Sequence, residues 1–317
     1  MTDHSNTLRY GFLGPAGTFC QMALAAWPGA EGAEGLPCDS VAAALDAVRA
    51  GALDGAMVPI ENSVEGGVSA TLDALSVGSD VVITAEVLVP VTFVVAVRPG
   101  TRLVDVRAVG THPHGWAQVR SWMHANLPAA AYVSTLSTAA AAADLDPVAP
   151  TAAEAVAYQA AVCAPVAAEI HGLEVLAHDV GDSTTAVTRF ALVSRPGHTP
   201  APTGSDKTTL VLYQREDHPG GLLELLEQFA ARGVNLTRLE SRPTGEAMGS
   251  YCFSIDIEGH VADARVAETL MGLKRVCQQV RYLGSYPRAD RKRVLPLVGT
   301  TDAEFAAARM WLDGLLD

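Results

Sequence analysis

Glu61, Asn62 and Ser63 stand directly after a predicted strand that ends at Pro59, in the segment VPIENSVEGG. A carboxylate, an amide and a hydroxyl side by side are suited to orienting a polar substrate and a proton in transfer. Because open α/β sheets bind ligands at the carboxyl ends of their strands, this position favours a functional site. The alternative is a simple turn, since Asn and Ser are also common turn formers.

A second hydroxyl and a second amide occur in GTHPHGWAQVRSW, where another predicted strand runs into a helix. Thr111 is expected near the helix N-terminus and Gln118 two turns later on the same face. His112 and His114 suggest a metal ligand pair, but they form a poor zinc site without a nearby carboxylate or cysteine. A helix cap followed by ordinary amphipathic packing is the alternative.

Two further segments carry groups that suit an anion. TTAVTRF places a hydroxyl, a guanidinium and an aromatic ring together in Thr188, Arg189 and Phe190. The planar guanidinium of Arg189 is a natural bidentate partner for a carboxylate. GFLGPAGTF follows a predicted strand, and Thr18 in it is expected to cap the next helix, with free backbone N–H groups. This segment lacks the lysine of a phosphate-binding loop, so a structural turn is its alternative.

The elements that must position these residues form an α/β pattern in the first two thirds of the chain. β-Branched runs alternate with Ala- and Leu-rich helical patterns, which is typical of parallel strands joined by crossover helices. The Ala-rich segment from Ser137 to Ala168 is predicted to form helices broken near Pro147 and Pro150. The predicted strands are Arg9 to Leu13, Gly55 to Pro59, Val81 to Glu86, Val91 to Arg98, Arg107 to Gly110, Ala131 to Ser134 and Thr188 to Ser194.

The segment RPGHTPAPTGSD predicts an interdomain linker over 196–206. Downstream of it the predicted order is βαββαβ, the order of ferredoxin-like domains. A tail over 288–317 is predicted to end in a short amphipathic helix. The predicted elements of the ferredoxin-like part are strands at Thr208 to Gln214, Val234 to Ser241, Ser250 to Glu258 and Val280 to Tyr286, with helices at Pro219 to Arg232 and Ala262 to Leu273.

The composition excludes several classes of protein. The 317 residues include 22 Lys and Arg against 35 Asp and Glu, a formal net charge of −13 that disfavours nucleic-acid binding. The apolar stretch from Val81 to Val97 is interrupted by Glu86 and Pro90 and is too short for a membrane helix. With no signal-peptide pattern, a cytoplasmic location is expected. The five cysteines form no C-x-x-C pair, so reduced structural thiols are expected.

In order along the chain, GPAGTF, PIENSVEGG, THPHGWAQV and TRF resemble the motifs of prephenate dehydratases, over nearly the whole chain up to the tail. The C-terminal part agrees independently, because PGGL at 219–222 and ESRP at 240–243 are similar to the effector motifs of that family's ACT domain. Thr111 stands where many members carry Ser, and His114 replaces a common Gln. These departures remove no hydroxyl, carboxylate or guanidinium that the chemistry requires.

The resemblance implies an enzyme that converts prephenate into phenylpyruvate, with loss of carbon dioxide and water, on the route to phenylalanine. It implies no metal and no organic cofactor. The implied α/β fold has a two-subdomain catalytic domain over 8–195, similar to a periplasmic binding protein, with the active site in the cleft between subdomains. These subdomains are about 8–97 plus 177–195, and 98–176. A ferredoxin-like ACT domain over 207–287 follows.

The residue roles that the resemblance implies fit this chemistry. Hydroxide is a poor leaving group, so a proton donor must reach it while the ring carboxylate departs and the pyruvyl carboxylate is held. Thr188 is expected to deliver or relay that proton. Glu61 and Asn62 would orient the substrate, and Thr111 and Gln118 would donate hydrogen bonds from the opposing subdomain. The expected substrate-binding residues are Ser63, Arg189, Phe190, Thr18, Ser137 and Thr138.

The resemblance also implies that L-phenylalanine binds between ACT domains and lowers activity, with a coupling free energy of about 1–3 kcal/mol. Because ACT modules work across subunits, a homodimer or homotetramer is expected. The expected effector-binding residues are Gly220, Gly221, Leu222, Asn235, Leu236, Glu240, Ser241, Arg242 and Pro243.

Three alternatives remain open on the sequence. An arogenate dehydratase would act on the amino form of the same substrate, and the sequence does not separate the two. A non-catalytic amino-acid sensor would join a binding-protein cleft to an ACT domain, without requiring the hydroxyls and amides described above. A nucleotide-binding α/β protein would need a phosphate-binding lysine and an acidic ribose partner at the usual spacing, and the sequence lacks both.

Overall fold

The computed structural model describes residues 7–78, 80–148, 156–197, 199–244 and 251–316. The described chain divides into two compact units, each built from separate stretches of sequence. The first unit consists of the described residues within 7–44, 56–66 and 87–190, and the second consists of those within 45–55, 67–86 and 191–316. Within these described residues, no helix combines the length and the apolar character needed to cross a membrane.

Up to β11, the described residues form a mixture of strands and helices in which strand often follows helix, and from β12 the order is βαββαβ with one more helix. The strands are β1 (Arg9–Leu13), β2 (Glu34–Cys38), β3 (Gly55–Asn62), β4 (Gly66–Gly67), β5 (Val82–Pro90), β6 (Val94–Val97), β7 (Ala108–Thr111), β8 (Ala131–Ser134), β9 (Ala160–Cys163), β10 (Glu174–Ala177), β11 (Val187–Ser194), β12 (Asp206–Tyr213), β13 (Leu236–Pro243), β14 (Tyr251–Glu258) and β15 (Gln279–Pro287). The helices are α1 (Phe19–Ala26), α2 (Val41–Arg49), α3 (Ser69–Ser76), α4 (Pro113–Ala117), α5 (Arg120–Asn126), α6 (Thr138–Ala143), α7 (Pro165–Ile170), α8 (Gly221–Ala230), α9 (Ala264–Val276) and α10 (Asp302–Asp313).

The first sheet has the strand order β2-β1-β3-β11-β5, with β4 paired to β3. β1 and β2 are parallel, with Arg9 opposite Glu34 and Leu13 opposite Cys38. β3 runs beyond the predicted end at Pro59, so its last two residues, Glu61 and Asn62, belong to the strand itself. β3 lies between β1 and β11, and its pairing with β11 brings two segments that are far apart in sequence side by side.

The second sheet has the strand order β10-β6-β9-β7-β8. β6 is buried along both faces, because Val95 and Val97 belong to one apolar cluster and Val94 and Ala96 to another. The chain therefore enters this sheet before Arg98, near which the subdomain bounds implied by the family resemblance placed the crossing. An apolar run that is buried on both faces fits a central strand of either sheet, so its pattern did not distinguish the two.

Strand β9 corrects the helical prediction for the Ala-rich segment. It pairs antiparallel with β6 and parallel with β7, at the centre of the second sheet. Helix α6 ends at Ala143, before Pro147, and α7 begins at Pro165; Pro150 lies outside the described residues. The prediction failed because hydrogen bonds from two neighbouring strands outweigh the intrinsic helix propensity of alanine.

The third sheet is antiparallel throughout, with the order β13-β14-β12-β15. Leu225 and Phe229 of α8 and Leu273 of α9 join Leu210 and Leu212 of β12 in its apolar core. The predicted ferredoxin-like order is confirmed. The strand predicted from Ser250 begins at Tyr251 among the described residues, and Ser250 itself lies outside them.

Candidate active site

A cleft of about 440 Å³ in the first unit collects most of the predicted catalytic and substrate-binding residues. β3 and β11 of the first sheet bring side chains to it, and so do α1, α4 and α6. The predicted residues that line it are Asn62, Gln118, Thr188, Phe190, Thr18, Ser137 and Thr138. The described lining does not include Glu61, Ser63, Thr111 or Arg189.

Asn62 orients the hydroxyl of Thr188. Its Nδ2 donates a hydrogen bond to Thr188 Oγ1 at 2.9 Å, between the end of β3 and the start of β11. Its Oδ1 accepts from the backbone N–H groups of Val64 and Glu65 at 2.8 and 3.1 Å, which closes a tight turn. One amide therefore fixes both the loop and the hydroxyl. Since this bond uses an acceptor position of Thr188, the hydroxyl keeps its own proton for a group in the cleft.

Ser63, Glu61 and Arg189 hold the first residues of β11 in place. The Ser63 N–H donates to the Val187 carbonyl at 2.9 Å, and the Val187 N–H donates to Ser63 Oγ at 3.0 Å. Arg189 is only 6% exposed, and its Nη1 donates to Glu61 Oε2 at 2.9 Å. The guanidinium is thus paired with a protein carboxylate, and binding of substrate by Arg189 stays a prediction.

The THPHGWAQV segment is arranged differently from its prediction. Pro113 is the first residue of α4 and holds His112 in extended backbone, so the helix cap is His112 and not Thr111. α4 ends after five residues, and Gln118 is its C-cap instead of lying two turns from Thr111 on one face. Thr111 is fully buried, and its hydroxyl donates to the Val162 carbonyl at 2.8 Å. A hydrogen bond from Thr111 to substrate stays a prediction.

Two capped helix N-termini reach the cleft. Thr18 caps α1, as its sequence predicted, and accepts from the Gln21 N–H at 3.4 Å. Ser137 caps α6 and accepts from the Ala140 N–H at 2.9 Å. Thr138, the first residue of α6, also lines the cleft. Free N–H groups and the helix dipole make such ends favourable for an anionic group.

Four ionisable residues to which the sequence analysis gave no role in the site also line the cleft. Glu65 Oε2 lies 2.9 Å from His114 Nδ1, and Glu65 Oε1 accepts from Gln118 Nε2 at 3.2 Å. Partial burial and the neighbouring His114 lower the pKa of His112, while Glu65 acts in the opposite direction. Asp39 is the fourth of these ionisable residues in the described lining of the cleft. Glu65 and both histidines belong to segments that the sequence singled out, but only the fold brings them together.

The rest of the cleft wall is largely apolar. Phe19 and Phe93 make an edge-to-face contact with ring centroids 5.6 Å apart, and Phe190 is 2% exposed. Cys20 also lines the cleft, but burial raises the pKa of its thiol to about 12, and the thiol donates to the Met57 carbonyl. It is therefore not a thiolate nucleophile. Across the described parts of the chain, no group of three or more His, Cys, Asp or Glu side chains could hold a metal ion.

The predicted effector residues lie in the second unit. Asn235 and Leu236 line an open hollow of about 470 Å³ between α8 and β13. Arg242 pairs with both carboxylate oxygens of Asp73 at 2.8 and 2.9 Å. The carboxylate of Glu240 lies so close to Gly67 that a Cβ there would collide with it. The remaining predicted effector residues are not part of the described lining of this hollow; they are Gly220, Gly221, Leu222, Ser241 and Pro243.

Comparison with known proteins decides the family. Residues 10–198 match the family model for prephenate dehydratase, and residues 208–275 match the model for the ACT domain. The chain belongs to the prephenate dehydratase family. A prephenate dehydratase from Amycolatopsis methanolica is 45% identical over 305 residues, which cover 96% of each chain.

Two solved structures are similar to this chain over most of its length. The crystal structure of a prephenate dehydratase from Arthrobacter aurescens in complex with L-Phe is 54% identical, with a TM-score of 0.91, and covers 98% of this chain and 99% of that one. GqqA, described as a novel type of quorum-quenching acylase, is 32% identical with a TM-score of 0.78 and covers 90% of this chain and 100% of that one.

The reaction follows from membership of the prephenate dehydratase family. The chain is a carbon–oxygen lyase of aromatic amino-acid biosynthesis that converts prephenate into phenylpyruvate, carbon dioxide and water. Its two catalytic sheets and its ACT domain form the architecture that the motifs predicted.

Proposed function

We propose that the cleft of the first unit is the active site of this reaction, with Thr188 as the residue that delivers or relays a proton to the leaving hydroxyl group. The observation that carries the proposal is the 2.9 Å hydrogen bond from Asn62 Nδ2 to Thr188 Oγ1. In this bond Thr188 is the acceptor, so its own O–H can donate to a group in the cleft that the side chain lines. The same amide stabilises the oxygen as its proton leaves. Positioned proton transfer contributes about 10²- to 10⁴-fold to a rate.

For the electron flow of the reaction, the main task of the protein is to position the substrate. As the ring carboxylate leaves as carbon dioxide, the electron pair of the breaking C–C bond moves into the ring and expels the hydroxyl group, which takes a proton and leaves as water. The capped ends of α1 and α6, through Thr18, Ser137 and Thr138, are the groups that we assign to the substrate carboxylates. Phe190 and its aromatic neighbours supply an apolar wall for the ring.

The predicted residues outside the cleft lining have positioning roles in this proposal. Glu61, through Arg189, and Ser63 hold the start of β11, where Thr188 stands. Thr111 lies beneath α4, because a Cβ at Gly115 of that helix would come within 2.9 Å of its hydroxyl. It therefore supports the helix whose C-cap is Gln118.

L-Phenylalanine is the effector that we propose for the ACT domain. The L-Phe complex of the Arthrobacter aurescens enzyme supports this assignment. Leu222 and Leu223 at the start of α8 are 37% and 59% exposed, so they offer an apolar surface to a second copy of the chain. The proposed state is a cytoplasmic homodimer or homotetramer, with the effector bound near Asn235 and Leu236.

The test is phenylpyruvate formation from prephenate and from arogenate, measured for the wild type, Thr188→Val and Thr188→Ser, with and without L-phenylalanine. Valine keeps the shape of threonine without its hydroxyl, so kcat is expected to fall about 100-fold or more, whereas serine retains most activity. Thr185→Val, an exposed change in the same segment, is the matched control. A wild type that is inactive on both substrates, or a Thr188→Val variant within tenfold of it, would overturn the proposal.

A further inference from the structure

The described lining of the cleft contains two carboxylates, Asp39 and Glu65, two histidines, and neither lysine nor arginine. Prephenate brings two more carboxylates. An unpaired carboxylate in the cleft repels each of them. Glu65 therefore needs a cationic partner within the cleft if the substrate is to bind well.

His114 is placed to be that partner. Its Nδ1 lies 2.9 Å from Glu65 Oε2, with the two side chains 68% and 38% exposed. Glu65 is held by the turn that the Asn62 amide closes, and His114 by the hydrogen bond from its backbone N–H to His112 Nδ1 at 3.2 Å. The pair joins the loop after β3 to helix α4. It thus connects the two sides of the cleft within the first unit.

We propose that Glu65 and His114 form an ion pair across the cleft that makes it accept a dianionic substrate. Protonated His114 offsets the charge of Glu65, and Glu65 in turn holds the Gln118 carboxamide through the 3.2 Å hydrogen bond from Gln118 Nε2. This inference rests on the proposed function of the cleft. Both residues are positioning residues, since they act through each other and through Gln118.

A double-mutant cycle tests the pair. At pH 6, His114→Gln is expected to raise KM about tenfold, because it leaves Glu65 without its cationic partner. Glu65→Gln removes the repelling charge but keeps an acceptor for Gln118, so its KM stays low. The double variant Glu65→Gln/His114→Gln is expected to recover the low KM. His124→Gln, which removes an exposed imidazole from α5 outside the cleft lining, is the control and should match the wild type.

Glu65→Ala separates the second role of Glu65 from the first. It removes both the charge and the acceptor for Gln118, so kcat is expected to fall several-fold relative to Glu65→Gln, while KM stays low. If His114→Gln leaves KM at pH 6 unchanged, or if the double variant is no better than His114→Gln alone, the inference is wrong even though the wild type turns over prephenate. A wild type that does not turn over prephenate refutes the proposed function itself, so the two failures are distinguishable.

Discussion

Lys207 and Glu86 form a buried ion pair within the second unit, and its disruption should destabilise that unit strongly. Lys207 Nζ lies 2.8 Å from Glu86 Oε2, with the side chains 9% and 3% exposed. The other carboxylate oxygen of Glu86 accepts from the Ala289 N–H at 2.9 Å. Glu86→Gln keeps an oxygen for that N–H and removes only the charge. The ammonium group then stays buried without its counter-ion.

The expected loss in the free energy of unfolding is about 3–5 kcal/mol at pH 7. This loss has an upper limit, because a buried ammonium group that has lost its partner can release its proton. For an ordinary lysine pKa of about 10.4, this release costs about 4.6 kcal/mol at pH 7 and about 1.9 kcal/mol at pH 9. The unfolded variant then binds more protons than the folded one, so the stability of the variant rises with pH. Hydrogen bonding to Arg288 lowers the pKa of the nearby Asp290 to about 2. Because this carboxylate also interacts with Lys207, the expected loss lies toward the lower end of the range.

Equilibrium urea unfolding followed by far-ultraviolet circular dichroism, at pH 7 and at pH 9, measures this loss. The double variant Glu86→Gln/Lys207→Gln replaces the ions by two amides that can bond to each other, and it should recover about 2 kcal/mol or more. Asp105→Asn breaks the exposed Arg102–Asp105 pair and should leave the free energy of unfolding close to that of the wild type. A loss below about 1 kcal/mol for Glu86→Gln at pH 7, or the same loss at both pH values, would refute the reasoning.

Three further predictions concern residues of the first unit. Gly17→Ala should lower the stability of this unit by about 1–3 kcal/mol in a thermal unfolding assay, because φ is +88° and the added Cβ would lie 2.9 Å from the Ala167 side chain. Gly32→Ala is the control, because its φ of +75° is similar but the added Cβ would meet open space, and it should cost less stability. The thiol of Cys20, with its pKa raised to about 12 by burial, should resist iodoacetamide at pH 8 in the native protein and react in urea, as peptide mass spectrometry would reveal. Ser63→Ala removes the acceptor for a backbone N–H of β11 and should lower kcat about tenfold, with Ser63→Thr restoring it; equal kcat in all three proteins would contradict this role.

Features with short-range causes were predictable from the sequence. β1 and β8 have the predicted bounds, and Thr18 caps α1 as expected. The βαββαβ order and the tail helix α10 were also correct. These signals are the alternation of side chains along a strand and the hydrogen bonds of a cap, which act over a few residues and are therefore visible in the sequence.

Strands that depend on their neighbours were missed. β2 contains a glycine and a proline, and β9 is an alanine-rich segment, so neither has a strand pattern of its own. Each is extended because adjacent strands supply its hydrogen bonds, β1 for the former and β6 and β7 for the latter. The subdomain bounds implied by the family resemblance placed the crossing after β6, whereas β6 already belongs to the second sheet.

The sequence by itself determined which chemical groups were available and that most of them follow the ends of strands, and its motifs led to the family. Only the tertiary structure decided which groups meet. It pairs Asn62 with Thr188 across 126 residues of sequence, brings Glu65 to His114, and directs the hydroxyl of Thr111 to a buried carbonyl. The physical reason is that side-chain periodicity is a property of one element, whereas contacts between elements depend on how sheets and helices pack, which no local pattern records.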